Sequence, residues 1–146
     1  MKRLFAVLVI GCLLTLSLAT SARAQLPGTE IRASIPFDFM VRGKLLPAGD
    51  YAISRINDEP SGLLLRNIHD KREHVVFETE PVQGRRIPRK DVLVFNVYGN
   101  SYFLSEVMTA GEQLGRELSP SREEKTLKRE WAKNEVEPTT VTVALN

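Results

Sequence analysis

The sequence predicts an all-β chain, mainly an antiparallel sandwich or open barrel, with one C-terminal α-helix after a cleaved signal peptide. Three observations carry this. Apolar and polar residues alternate with period two from Glu30 to Thr109, turn residues interrupt that alternation at short intervals, and the period changes to a helical one after Ser119. The predicted divisions are 1–24 signal peptide, 25–118 β domain, 119–134 helix and 138–146 terminal strand.

Met1-Lys2-Arg3 is a cationic head, Leu4 to Leu18 is almost wholly apolar, and Ala22-Arg23-Ala24 places small residues before Gln25. A membrane-inserted helix followed by a small-residue cleavage site reads as an export signal cut between Ala24 and Gln25. An uncleaved anchor would need a longer apolar run, about 20 residues. Lipidation at Cys12 would need the chain to turn polar there, whereas Leu13, Leu14, Leu16 and Leu18 follow.

Cleavage changes the balance of charge. Lys2, Arg3 and Arg23 depart, so the 20 basic residues become 17 against 18 acidic ones, which removes any global attraction to nucleic acid or to an anionic membrane. Membrane contact is then expected only through the signal peptide. The single cysteine departs too, so the remaining 122 of 146 residues depend on packing and no disulfide.

Ile31, Ala33, Ile35, Phe37, Phe39 and Val41 predict one long strand, with Pro36 demanding an edge or bulge because it donates no ladder bond. Gly43-Lys44 and Pro47-Ala48-Gly49-Asp50 read as turns, followed by a strand from Tyr51 to Ile56. A turn at 57–62, a strand from Leu63 to Ile68, a tight turn at His69-Asp70-Lys71-Arg72 and a strand from Glu73 to Thr79 follow. Glu80 to Lys90 breaks the pattern. Val92 to Tyr98 and Ser101 to Met108 form a hairpin through Gly99-Asn100, a pair suited to a type II′ turn. That register sets Val97 against Tyr102, Phe95 against Leu104 and Leu93 against Glu106. Ser119-Pro120, or Ser121 with Glu124, caps a helix over Arg122 to Lys133 whose narrow apolar stripe holds Leu127 and Trp131. Val141, Val143 and Leu145 alternate in a final strand, for about six to eight strands in all.

The strings Ile35-Pro36-Phe37-Asp38-Phe39, Leu46-Pro47-Ala48-Gly49-Asp50-Tyr51, Tyr102-Phe103-Leu104-Ser105-Glu106-Val107 and Gly115-Arg116-Glu117-Leu118 together resemble a family of small exported bacterial proteins. That family has no established activity, so the resemblance implies export and assigns no functional residue.

Three sets of residues bear chemistry. His69, Asp70 and His74 are metal-ligand types, but their spacing matches no metal motif and Lys71 and Arg72 would repel a cation, so the reading is a turn with exposed histidines and no cofactor. Glu106, set among Leu93, Phe95 and Leu104, would have a raised pKa suited to general acid chemistry; the competing reading is a structural carboxylate, for instance paired with Arg66. Arg85, Arg86, Arg89 and Lys90 crowd the break after Glu80, where guanidinium forks suit sulfate, phosphate or carboxylate; the competing reading is a solvated loop. No aromatic lies between these cations, which argues against nucleic acid.

Gly-x-Ser-x-Gly, Walker, dinucleotide and His-Glu-x-x-His signatures are all absent. The expectation is therefore a non-catalytic envelope or extracellular module that binds an envelope protein or anionic polymer. A lipocalin-like carrier of an apolar ligand and, behind it, a hydrolase joining Glu106 to a histidine are the alternatives.

Overall fold

A computed structural model describes residues 30–145 apart from 58 and 60. Residues 1–24, expected to be an export signal, lie outside the described residues, with Cys12 and the Ala24–Gln25 junction. The described chain is strand-dominated, with one helix, and its strands form two sheets around a shared core.

The first sheet has the order β1 (Ile31–Ile35), β4 (Gly49–Arg55), β5 (Gly62–Asn67), β6 (His74–Glu78), all antiparallel. The second runs β11 (Thr139–Ala144), β8 (Val92–Tyr98), β9 (Ser101–Met108), β10 (Leu114–Glu117), β7 (Glu80–Gln83). Against β9 also lies β2 (Phe39–Val41), in parallel with Met40 beside Phe103, and β2 in turn pairs with β3 (Lys44–Leu46). The sheets do not close into a barrel. The space a lipocalin-like cavity would need is filled instead: Phe39, Leu46, Tyr51, Leu65, Leu93 and Phe95 from the two sheets are all fully buried there.

The long N-terminal strand is two strands in different sheets. Pro36 offers no N–H, the ladder of β1 stops at Ile35, and the chain crosses to the second sheet before Phe39. The alternation continues through the crossing because both sheets face one core, so Ala33, Ile35, Phe39 and Val41 all point inward. Phe37 marks the crossing: its ring stacks on Tyr102 at 4.0 Å and meets Phe95 edge-on at 5.2 Å.

The Gly99-Asn100 hairpin forms with Tyr98 opposite Ser101. Gly99 has φ +64 and Asn100 is not among the described residues with positive φ, as a type II′ turn requires. The preceding tight turn is at Arg42-Gly43 rather than Gly43-Lys44, with φ of 52 and 87, the signs of a type I′ loop joining β2 to β3. Short strands β3 and β7 fall where turn or break chemistry was expected, and β10 falls where no element was predicted, so the strands among the described residues number eleven.

The helix α1 (Arg122–Lys133) is capped by Ser121, whose hydroxyl accepts the Glu124 N–H at 3.1 Å. Of the two caps the sequence allows, it is the Ser121–Glu124 box that forms. The helix lies on the outer face of the second sheet, where Trp131 meets Tyr98 edge-on at 5.6 Å and Asn96 Nδ2 donates to Glu124 Oε1 at 2.9 Å. Among the described residues no helix is long and apolar enough to cross a membrane.

Candidate functional site

The four cations share one loop, 84–91, between β7 and β8, and that loop is tied down at three points, two through its backbone and one through the Asp91 side chain. Gly84 N–H donates to Gln113 O at 2.8 Å, Pro88 O accepts from Gly111 N–H at 2.9 Å, and the Asp91 carboxylate accepts from Ala110 N–H at 2.7 Å. Gly84 suits this approach, since a Cβ there would fall 3.2 Å from Gln113 O and 2.3 Å from Met108 Cε, displacing the end of that side chain. The result is a fixed loop with free side chains. Arg85, Arg86, Arg89 and Lys90 are all exposed, and Arg86, Arg89 and Lys90 form no ion pair or side-chain hydrogen bond with any described residue. Ile87, between them, is 58% exposed, and Leu114, opposite Gln83 at the foot of the loop, is 63% exposed. Cations and apolar side chains thus meet on one patch.

Glu106 is not where the hairpin register alone would put it. A bulge between Val94 and Phe95 makes Ser105 an extra residue on β9, so Leu93 faces Val107 and Glu106 faces Val94. The Ser105 hydroxyl donates to Val94 O at 3.1 Å and its carbonyl accepts the Leu118 N–H at 2.8 Å, which holds the bulge. The extra residue puts Val107 into the core in place of the carboxylate, avoiding the cost of an ionised group among Leu93, Phe95 and Leu104. Glu106 is half-buried on the outer face. Burial still raises its pKa, Glu117 directly opposite raises it further, and Arg85 pulls it back. Glu117 in turn faces Glu80 on β7, so three carboxylates stand in a row across β9, β10 and β7. Arg66 is not its partner: it lies on the other sheet and pairs with Glu30 at 3.1 Å.

The more deeply buried carboxylate is Glu124, 4% exposed. Burial raises its pKa, and the hydrogen bonds from Asn96 and the Ser121 N–H oppose that. Its box spacing was legible, but its burial was not, because nothing local announces that Asn96 lies beneath it.

Neither histidine approaches Glu106, which belongs to the opposite sheet. His69 Nε2 is 3.2 Å from Asp50 Oδ2, His74 Nδ1 is 3.2 Å from Lys71 O, and Asp70 accepts the Arg72 N–H at 3.0 Å. Each of the three metal-ligand types thus has its own partner, and among the described residues no three such side chains converge.

One constellation had no signal in the sequence. The β1–β4 register sets Ser34 against Asp50, the Ser34 hydroxyl donates to Asp50 Oδ1, and His69 takes the other oxygen, beside a surface cleft of 320 Å³. The order is wrong for an activated serine, because the hydroxyl gives its hydrogen to the carboxylate and not to the imidazole. The two hydrogen bonds, from Ser34 and then His69, hold Asp50 below the usual carboxylate range, so it is a poor base.

No family model, curated protein or solved structure matches the chain.

Proposed function

We propose that this is an exported, non-catalytic binding module that takes an anionic envelope polymer, or an envelope partner of the same charge, on the 84–91 loop. The observation that carries this is a loop pinned at three points while Arg86, Arg89 and Lys90 have no ion-pair or hydrogen-bond partner among the described residues. A rigid loop loses little entropy on binding, and free guanidinium groups can form paired bonds to sulfate, phosphate or carboxylate. Ile87 and Leu114 add apolar contact beside the charges. The filled interior weighs against a carrier, and the Ser34-Asp50-His69 order weighs against a hydrolase.

The test uses the chain recovered from outside the cytoplasm, with its N-terminus expected at Gln25 by mass spectrometry. Its binding to an acidic polysaccharide is compared with that of a variant carrying Arg85→Ala, Arg86→Ala, Arg89→Ala and Lys90→Ala. The variant is expected to fold, by circular dichroism, and to bind at least about tenfold more weakly, since charged hydrogen bonds contribute about 1.5–3 kcal/mol each. Unchanged binding by a folded variant would remove the loop from the reading.

A further inference from the structure

β11 is an edge strand: β8 pairs with one side of it, and among the described residues nothing pairs with the other. The remaining edges are guarded by charge or proline. β1 carries Arg32, β3 Lys44, β6 Glu78, and β7 both Glu80 and Pro81. β11 reads Thr-Thr-Val-Thr-Val-Ala, without a charge, a proline or a glycine. An unguarded edge of this length is a template for another strand.

The geometry identifies which backbone groups are free. Leu145 N–H donates to Asp91 O at 2.8 Å, continuing the register in which Val143 faces Leu93 and Val141 faces Phe95. Backbone groups alternate sides along a strand, so 139, 141, 143 and 145 bond toward β8, while Thr140, Thr142 and Ala144 direct both N–H and C=O outward. The odd-numbered side chains face the core side, yet Val141 and Val143 remain only half-buried at the flank.

We infer that β11 pairs antiparallel with β11 of a second copy about a twofold axis at Thr142, joining the two larger sheets into one. The strand complements itself in that register. Thr142 meets Thr142 and Thr140 meets Ala144 as hydrogen-bonded pairs, which use every outward group of the three residues. Val141 meets Val143 at the close, non-bonded positions, completing the burial that each chain leaves unfinished. No charge opposes a like charge, which would fail for a self-paired β1 or β3 edge centred on Arg32 or Lys44.

The test uses the full chain in a Cys12→Ser background, so that an added cysteine is the only thiol. Opposed residues of a hydrogen-bonded pair have Cα atoms about 5.5 Å apart, within disulfide range. Thr142→Cys should therefore give a covalent dimer on oxidation, while Val76→Cys on the exposed face of β6 should not. Light scattering should find a dimer for the parent chain. Thr142→Pro deletes an outward N–H without touching a bond to β8 and should weaken dimerisation about thirtyfold while leaving the far-ultraviolet spectrum intact. Thr142→Lys and Thr142→Glu should each weaken it alone and restore it when mixed, an outcome that general misfolding cannot produce. A monomeric parent, a dimer indifferent to Thr142→Pro, or no rescue in the mixture would overturn the inference.

Discussion

At the scale of single residues, two carboxylates are held above their usual range by burial, Glu106 with Glu117 opposite it and Glu124 in the first turn of the helix, over Asn96. The sign follows from linkage. A carboxyl whose folded pKa exceeds its unfolded one binds a proton more readily when folded, so it adds stability as pH falls through the folded value and costs stability above it. Glu106→Gln should therefore stabilise the protein at neutral pH, by about 0.5 kcal/mol for one like-charged cross-strand pair relieved. The gain should shrink as the parent's own carboxyl protonates. Urea midpoints of the two proteins, converging as pH falls below neutral, would check it. Under the proposed function the same replacement should leave polymer binding intact, because the charge that acts on Glu106 is that of Arg85 and not of Arg86, Arg89 or Lys90.

Among the elements, Met108 closes the joint between β9, β10 and the cationic loop. A Cβ at Gly115 would lie 2.0 Å from Met108 Sδ and 3.1 Å from Val107 O, and the side chain of Met108 is itself buried. Gly115→Ala should cost about 1–3 kcal/mol in denaturant unfolding, and adding Met108→Ala should recover part of it, a non-additivity expected of side chains in contact. The sequence shows why such joints escape a first reading. The bounds and turn of the β8–β9 hairpin were legible to the residue, because Gly99-Asn100 sets its turn and both arms are long, and its register was legible from Tyr98 back to Phe95. The three- and four-residue strands β3, β7 and β10 were not, since their pairing is decided by neighbours distant in the chain: Glu80 to Gln83 become strand only because 114–117 lie beside them. The bulge at Ser105 was invisible for a related reason. Alternation predicted an inward Glu106, and only the cost of burying its charge says the count must slip by one. Of the candidate site, the cation cluster could be read directly, its fixed backbone could not, and the Ser34-Asp50-His69 grouping depends wholly on register.

For the molecule as a whole, the titrating groups divide into two sets. Asp50, held low by Ser34 and His69, and Asp70, held low first by the Arg72 N–H, support the fold above the ordinary carboxylate range and lose that support as pH falls through their depressed values. Both are exposed, so their effect is small. Glu106 and Glu124 act in the opposite direction at higher pH. Stability should therefore peak at mildly acidic pH, between the protonation of the aspartates and the ionisation of the glutamates, and a thermal-melting series across that range would show a maximum there rather than a plateau to neutrality.

The crossing of the chain at Pro36 has a kinetic side. Because β1 and β2 belong to different sheets, and β2 completes its pairing only through Met40 beside Phe103, the second sheet cannot be finished without the N-terminal part of the chain. A long loop must close before the core is sealed, so folding is set by non-local contacts and belongs with the slower β proteins, in about milliseconds to seconds. A chain of this design is most exposed to wrong strand pairing before that loop has closed.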